Sequence, residues 1–221
     1  MVPWEELDRA ETDDGAEVSL HRRGEEYVIR AGGRDLMSSR MHGSEEVLAE
    51  LGCRDAARLK QPRVLVGGLG MGFTLRAALD LLPGHAEVVV CELLEAVVGW
   101  NRRLLAALAD RPLDDVRVTV EVADVLAYMR RAQGSLDAVL MDVDNGPAAF
   151  TCEDNVAIYE EAGLRAAREA LRPDGVLAFW SSYGDDAFRR RLIRCGFTVT
   201  TRTVRARIKK GPRHTIFVAT R

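Results

Sequence analysis

Val64-Leu65-Val66-Gly67-Gly68-Leu69-Gly70-Met71-Gly72, followed by a helical run from Phe73 to Leu82, decides how this chain folds. A short apolar run that ends in glycines at alternate positions and then opens a helix is how a parallel-sheet nucleotide-binding fold begins. Gly68, Gly70 and Gly72 supply the tight turn and let the backbone approach a ligand, while the helix start offers free N–H groups. The next apolar run, Ala86 to Cys91, ends in Glu92, a carboxylate placed to accept hydrogen bonds from both hydroxyls of a ribose. The glycine loop and Glu92 in register point to a site for an adenosine-type cofactor. NAD is not excluded by these features, since a carboxylate on the second strand serves both cofactors.

Outward from this stretch, short β-rich runs alternate with helical ones. Val64–Gly67, Glu87–Glu92, Val116–Val122 and Leu136–Asp142 read as buried parallel strands. Thr74–Leu82, Glu95–Ala109, Val125–Ala132 and Asn155–Leu171 read as the helices between and after them. The turn Arg172-Pro173-Asp174-Gly175 introduces a fifth strand, Val176–Ser181, and Asp185–Arg194 makes a further helix. Phe197–Val204 and Thr215–Thr220 form an antiparallel pair at the sheet edge. The sum is an α/β chain, a doubly wound seven-stranded Rossmann-like sheet of the class I AdoMet-methyltransferase type.

The N-terminal stretch differs. Val18–Arg22 and Tyr27–Ala31 flank a Gly24-Glu25-Glu26 turn and predict a β-hairpin, Asp35–Arg40 adds a short strand, and Glu45–Leu51 gives one or two helical turns. A hairpin alone is marginal in water, so it must pack on the main domain or on another subunit. The expected division is a small hairpin and helical region over residues 1–55 and a cofactor-binding catalytic domain over 56–221.

Composition narrows the classes. The chain has 221 residues, 47% of them hydrophobic, with a formal net charge of −3. Nothing in that balance points to nucleic acid. Its four cysteines, Cys53, Cys91, Cys152 and Cys195, are scattered, which suits a reducing cytoplasm. The acidic start (Glu5, Glu6, Asp8, Glu11, Asp13, Asp14) does not read as a signal peptide, and no apolar run is long enough to span a bilayer. The histidines show no metal-site spacing, and the glycine loop lacks the Gly-Lys-Ser/Thr ending of an NTP-hydrolysing loop.

In open α/β sheets ligands bind beyond the carboxyl ends of the strands. That rule selects Gly68–Gly72, Glu92, Asp124 and the segment Asp142-Val143-Asp144-Asn145-Gly146-Pro147. Asp124 reads equally as a helix N-cap and as an acceptor for a purine amino group, and one carboxylate can do both. Turn-forming residues account for Asn145-Gly146-Pro147 but less well for Asp142, placed at a strand tip, so a catalytic or substrate role falls to Asp142 and secondarily to Asp144. His42 lies beside the cleft as a proton-transfer aid or a structural partner. Trp180 lines a pocket or belongs to the core, and Tyr183 follows the same strand. Arg202, Arg205, Arg207, Lys209, Lys210 and Arg213 read first as charges guarding an edge strand, and otherwise as a site for an anionic ligand or an acidic partner surface.

From about Leu36 to the C-terminus the sequence resembles the polyamine aminopropyltransferases, the spermidine synthase group. The pieces that carry the resemblance are His42-Gly43-Ser44-Glu45-Glu46, Val64–Gly72, Cys91-Glu92, Ala123-Asp124, Asp142 through Gly146-Pro147-Ala148, and Ala170–Leu177, in that order. The resemblance implies transfer of an aminopropyl group from decarboxylated AdoMet to an amine such as putrescine, and, as the family forms oligomers through such elements, the N-terminal hairpin hints at a homodimer. Gly68–Gly72 would lie against the nucleoside thioether, Glu92 would hold the ribose, Asp124 the adenine, and Asp142 would be the catalytic aspartate. Asp144, Glu45 and Glu46 are candidates to neutralise the far end of a diamine, although glutamates on a helix also read as solvated surface.

The sequence also departs from the family pattern. The aspartate motif before Pro147 is shorter, Ser44 stands where a tyrosine is usual, and Leu94 where an acidic residue is usual. Ile208–Arg213 replaces a tyrosine-bearing segment, and Tyr183 is a candidate stand-in. The cofactor half matches and the amine half is altered. Two rivals therefore stand beside aminopropyl transfer: an AdoMet-dependent methyltransferase acting on a small molecule, and a non-catalytic nucleoside-binding or interaction protein.

Overall fold

Val64 and Val66 point to one side of their strand and Leu65 to the other, and all three are fully buried. A strand buried on both faces belongs in the middle of a sheet covered by helices. The computed structural model, which describes residues 2–12, 15–143, 157–207 and 210–221, has that architecture.

The main sheet has seven strands: β5 (Arg63–Gly67), β6 (Glu87–Glu92), β7 (Val118–Val122), β8 (Leu136–Met141), β9 (Leu171–Ser181), β10 (Thr198–Arg207) and β11 (Lys210–Thr220). Their order is β10-β11-β9-β8-β5-β6-β7, which places β5 and β8 side by side at the reversal of strand order. β5 to β9 run parallel, and β11 pairs antiparallel with both β9 and β10. The doubly wound expectation is met, with the antiparallel edge pair in place.

Helices α1 (Gly43–Cys53), α2 (Phe73–Leu81) and α3 (Glu95–Arg102) cover one face, where Leu48, Leu75, Val98 and Trp100 share a core with Val64, Val66, Val88 and Leu140. Helices α4 (Val125–Arg131), α5 (Glu161–Ala170) and α6 (Asp186–Arg194) cover the other, where Leu126, Leu164 and Phe188 meet Leu65, Val139, Leu177 and Phe217. Phe188 takes edge-on contacts from Phe179 and Phe217 at centroid distances of 5.1 and 5.2 Å, a favoured aromatic geometry.

Several element boundaries differ from the sequence reading for local reasons. α3 stops at Arg102 rather than Ala109, because the chain breaks helical geometry at Arg103 and turns Leu105, Ala106 and Ala109 into the core. β7 starts at Val118, not Val116: Asp115 takes the Arg117 backbone N–H and guanidinium, and Val116 is left fully exposed. That pairing holds the Asp115 carboxyl down to about 2. The Arg172–Gly175 turn is a bulge inside β9, with register jumping from Leu136↔Leu171 to Ala138↔Val176 and Asp174 at φ 64°.

The N-terminal hairpin is the centre of a larger unit. β2 (Glu17–Arg23) and β3 (Glu26–Ala31) are flanked by β1 (Glu5–Glu11) and β4 (Arg34–Ser38) in a four-stranded antiparallel sheet of order β1-β2-β3-β4. Val18, Leu20 and Ile29 enter the same core as α1, α2 and α3. The Trp100 indole N–H donates to Asp8 at 2.8 Å, tying β1 to α3. This sheet therefore lies over the strand tips of the main sheet, where β4 supplies a wall of the site.

Candidate active site

Gly68 brings the first loop against the end of β8. Its φ is +88°, and a Cβ there would stand 2.3 Å from the Asp142 carbonyl oxygen, so no side chain fits. The Asp142 N–H donates to the Gly67 carbonyl at 2.8 Å, fixing the aspartate beside the loop. Gly70 faces Met37 of β4, whose sulfur would be 2.9 Å from an added Cβ. The Asn101 amide donates to the Gly70 carbonyl at 2.8 Å and holds the loop's far side. Gly72 caps α2 in a left-handed conformation.

A cavity of about 790 Å³ opens between this loop, the tips of β6, β7 and β8, and the N-terminal sheet. That volume lies in the range of small-molecule sites. Glu92 sits on its floor, accepting N–H bonds from Leu69 and Leu94 at 2.9 Å each through different oxygens. A carboxylate fixed in this way suits a ribose diol. Asp124 accepts from Leu126 N–H at 2.9 Å and Ala127 N–H at 3.3 Å while also lining the cavity, so the N-cap role and the cavity position coexist. Asp35, Glu45, Glu92, Asp124 and Asp142 put carboxylates on the lining against one guanidinium, Arg130, among the described residues. A cationic ligand is favoured in such surroundings.

The cavity also holds an acidic pair, Glu45 buried and Asp142 half-buried. Asp142 accepts from the Thr74 hydroxyl at 2.6 Å. Glu45, only 5% exposed, accepts from the Ser44 hydroxyl at 2.5 Å. Burial and the nearby Asp142 charge push the Glu45 carboxyl up to about 8. Burial likewise pushes Asp142 up to about 6, against the pull of the Thr74 hydroxyl. Two carboxylates competing to ionise in one dry site make a proton acceptor that works near neutral pH. Ser44 also meets His214 Nδ1 at 2.9 Å, and the His214 ring packs edge-on against Trp180 at 4.6 Å. The Trp180 indole N–H is buried without a partner among the described residues.

This arrangement has a consequence for stability. Unfolded, Glu45 loses its proton near 4.5; folded, it keeps it up to about 8. Between those values the folded chain binds more protons than the unfolded one, so this site's contribution to stability falls as pH rises and is lost above the folded value. Glu45→Gln is expected to raise the melting temperature at about pH 8 by roughly 2–4 °C for each kcal/mol relieved, with the gain vanishing near pH 4. Calorimetric melts at both pH values check this.

Residues 41–184 match the family model of the spermine/spermidine synthase domain. The chain belongs to the spermine/spermidine synthase family. A polyamine aminopropyltransferase of Thermoanaerobacter sp. (strain X514) is 31% identical over 121 residues, which are 53% of this chain and 40% of that protein. The spermidine synthase of Dictyostelium discoideum is 29% identical over 117 residues, 52% of this chain and 38% of its own length. The chain thus aligns with about two fifths of the length of these relatives. The crystal structure of spermidine synthase from Thermotoga maritima superposes with a TM-score of 0.76 at 18% identity, covering 97% of this chain and 72% of that one. A spermidine synthase in complex with the transition state analogue AdoDATO gives a TM-score of 0.75, also at 18% identity, with the same coverage. At that identity the likeness is one of fold.

Within this family member the fold gathers Gly68, Gly70, Glu92, Asp124, Asp142 and Glu45 on one cavity. Gly72 stands just behind it as the cap of α2. His42 and Glu46 lie off the lining: the His42 ring stacks on Phe73 at 4.2 Å, and its Nδ1 meets Glu46 at 2.9 Å. Adjacent helical positions differ by about 100° in direction, so α1 turns Glu45 inward and leaves Glu46 exposed. Tyr183 is 43% exposed and also off the lining, which its neighbour Ser182 joins instead. Asp144 lies outside the described residues. His214, which no sequence motif singles out, reaches the site through its place on β11 beside β9. Met37 carries no sequence signal either, since β4 is short and half-exposed.

Among the described residues no helix is long and apolar enough to cross a membrane, and no group of His, Cys, Asp and Glu could hold a metal.

Proposed function

We propose that this chain transfers an aminopropyl group from decarboxylated AdoMet to a primary amine such as putrescine. The observation that carries the reading is the pairing of half-buried Asp142 with buried Glu45 on a cavity that also presents Glu92 and Asp124. Glu92 would hold the ribose hydroxyls, Asp124 the adenine amino group, and the Gly68–Gly70 loop would lie against the sulfonium. Asp142 orients the incoming amine and takes a proton from its ammonium form. The neutral nitrogen then attacks the methylene carbon next to sulfur. A C–N bond forms, the C–S bond breaks, and its electron pair returns to sulfur, leaving neutral methylthioadenosine. Asp35, also on the lining, supplies negative charge for the remaining ammonium groups, and Glu45, protonated at neutral pH, offers a carboxyl oxygen as hydrogen-bond acceptor.

The acidic lining also supports selection of the co-substrate. AdoMet carries a carboxylate that decarboxylated AdoMet lacks, and in this cavity it meets like charge. Paired calorimetric titrations are expected to give tighter binding of decarboxylated AdoMet by about tenfold or more, equivalent to roughly 1.4 kcal/mol. Equal or reversed affinities would move the reading to methyl transfer from AdoMet. Leu94, which lines the cavity where the family usually has an acidic residue, favours that second reading. The buried, unpaired Cys53, Cys91 and Cys195 support a reducing, cytoplasmic setting.

A further inference from the structure

We infer that Ser44 and His214 form the proton outlet of the amine site, carrying a proton from Glu45 through the Ser44 hydroxyl to Nδ1 of His214. The inference rests on the aminopropyl-transfer reading. It starts from a hydrogen-bonded chain that this reading leaves unused. Ser44 is fully buried on α1, and its Oγ lies 2.5 Å from Glu45 Oε2 and 2.9 Å from His214 Nδ1. A hydroxyl owns a single proton, so with two partners it donates to one and accepts from the other. The chain therefore has a direction, and it exists in two complementary states.

With Glu45 protonated, its O–H donates to Ser44, Ser44 donates to His214 Nδ1, and the imidazole is the Nε2–H tautomer. With Glu45 ionised, the order reverses: His214 Nδ1–H donates to Ser44, and Ser44 donates to the carboxylate. Passing one proton along the chain turns protonated Glu45 and neutral His214 into carboxylate and imidazolium. Release of the Nε2 proton to solvent then leaves the Nδ1–H tautomer, and no atom other than hydrogen has moved. Glu45, Asp142 and His214 all line the one cavity, while Ser44 is sealed behind it. Trp180 packs edge-on against the imidazole at 4.6 Å and restrains its plane. Glu45 faces Asp142 from the end of β8 and has Glu46 beside it on its own helix. His214 faces Ser44 from α1 and Trp180 from β9. Burial pushes His214 below its ordinary value, so the ring is a neutral acceptor at pH 7.

The decisive test uses the full chain without ligand. Nitrogen-15 histidine spectra are recorded from about pH 5 to about pH 9, with the Glu45 carboxyl followed by carbon-13. The relay predicts that His214 changes from the Nε2–H to the Nδ1–H tautomer with the midpoint of Glu45, and that Ser44→Ala removes the linkage. A tautomer that stays constant while Glu45 titrates would overturn it. In turnover, His214→Gln keeps a hydrogen bond to Ser44 but carries no proton. Its kcat is expected to fall on the order of tenfold to a hundredfold, with KM for the amine held and the rate recovered by added imidazole. A wild-type rate in His214→Gln would also overturn the relay. If the wild-type chain turns over no amine, the transfer reading fails, and the tautomer measurement still decides the relay.

Discussion

Asp142→Asn is expected to lower kcat for amine transfer by about 10²–10⁴-fold. The substitution keeps the size of the side chain and an oxygen able to accept the Thr74 hydroxyl, now 2.6 Å away, so the end of β8 stays in place. What is lost is the charge that orients an ammonium and the basicity that takes its proton. Glu45 is a poor substitute: burial, the larger cause of its raised carboxyl, still favours its protonated form after the Asp142 charge is gone. Methylthioadenosine, whose proposed contacts are Glu92 and Asp124 and which needs no base, is expected to bind the variant within about threefold of wild type, a difference under ~1 kcal/mol. Initial rates and a titration on the same preparation separate the two effects. Wild-type turnover would remove Asp142 from the chemistry, and loss of nucleoside binding would assign it a structural role.

Gly68→Ala is expected to cost about 2–5 kcal/mol of stability, the sum of a left-handed backbone and an overpacked contact. The φ of +88° alone disfavours any Cβ, and the nearest obstacle is backbone, the Asp142 carbonyl at 2.3 Å, which cannot rotate away. Relief requires the first loop and the end of β8 to separate, which moves the Asp142 carboxylate with them. Turnover should therefore fall more than nucleoside binding does. Gly84→Ala provides the comparison: a Cβ there meets nothing within 4 Å, so its urea midpoint should match wild type. Equal midpoints for the two variants would mean that the loop and β8 do not need this close approach.

Much of the site was legible because parallel strands bring their tips to one place. Gly68, Glu92, Asp124 and Asp142 each follow an apolar run, and the topology makes them neighbours without further information. The hidden part follows a different logic. Glu45 and Glu46 are chemically alike and adjacent, and only the orientation of α1 decides which is buried. Ser44 and His214 meet across 170 residues of sequence, through an antiparallel strand whose register no local pattern fixes. β1 is not legible in the sequence because Glu5, Glu6, Asp8 and Glu11 leave it without an apolar alternation; its role emerges only where Asp8 meets Trp100. The Arg172–Gly175 turn read correctly as a turn, yet its flanks pair with β8 on both sides, which makes it a bulge.

The central claim is aminopropyl transfer, and product mass tests it most directly. The purified chain is incubated with putrescine and either decarboxylated AdoMet or AdoMet, and both the amine and the nucleoside are weighed. The account predicts an aminopropylated amine and stoichiometric methylthioadenosine from decarboxylated AdoMet alone. A methylated product from AdoMet, or an amine that keeps its mass with both donors, would contradict it.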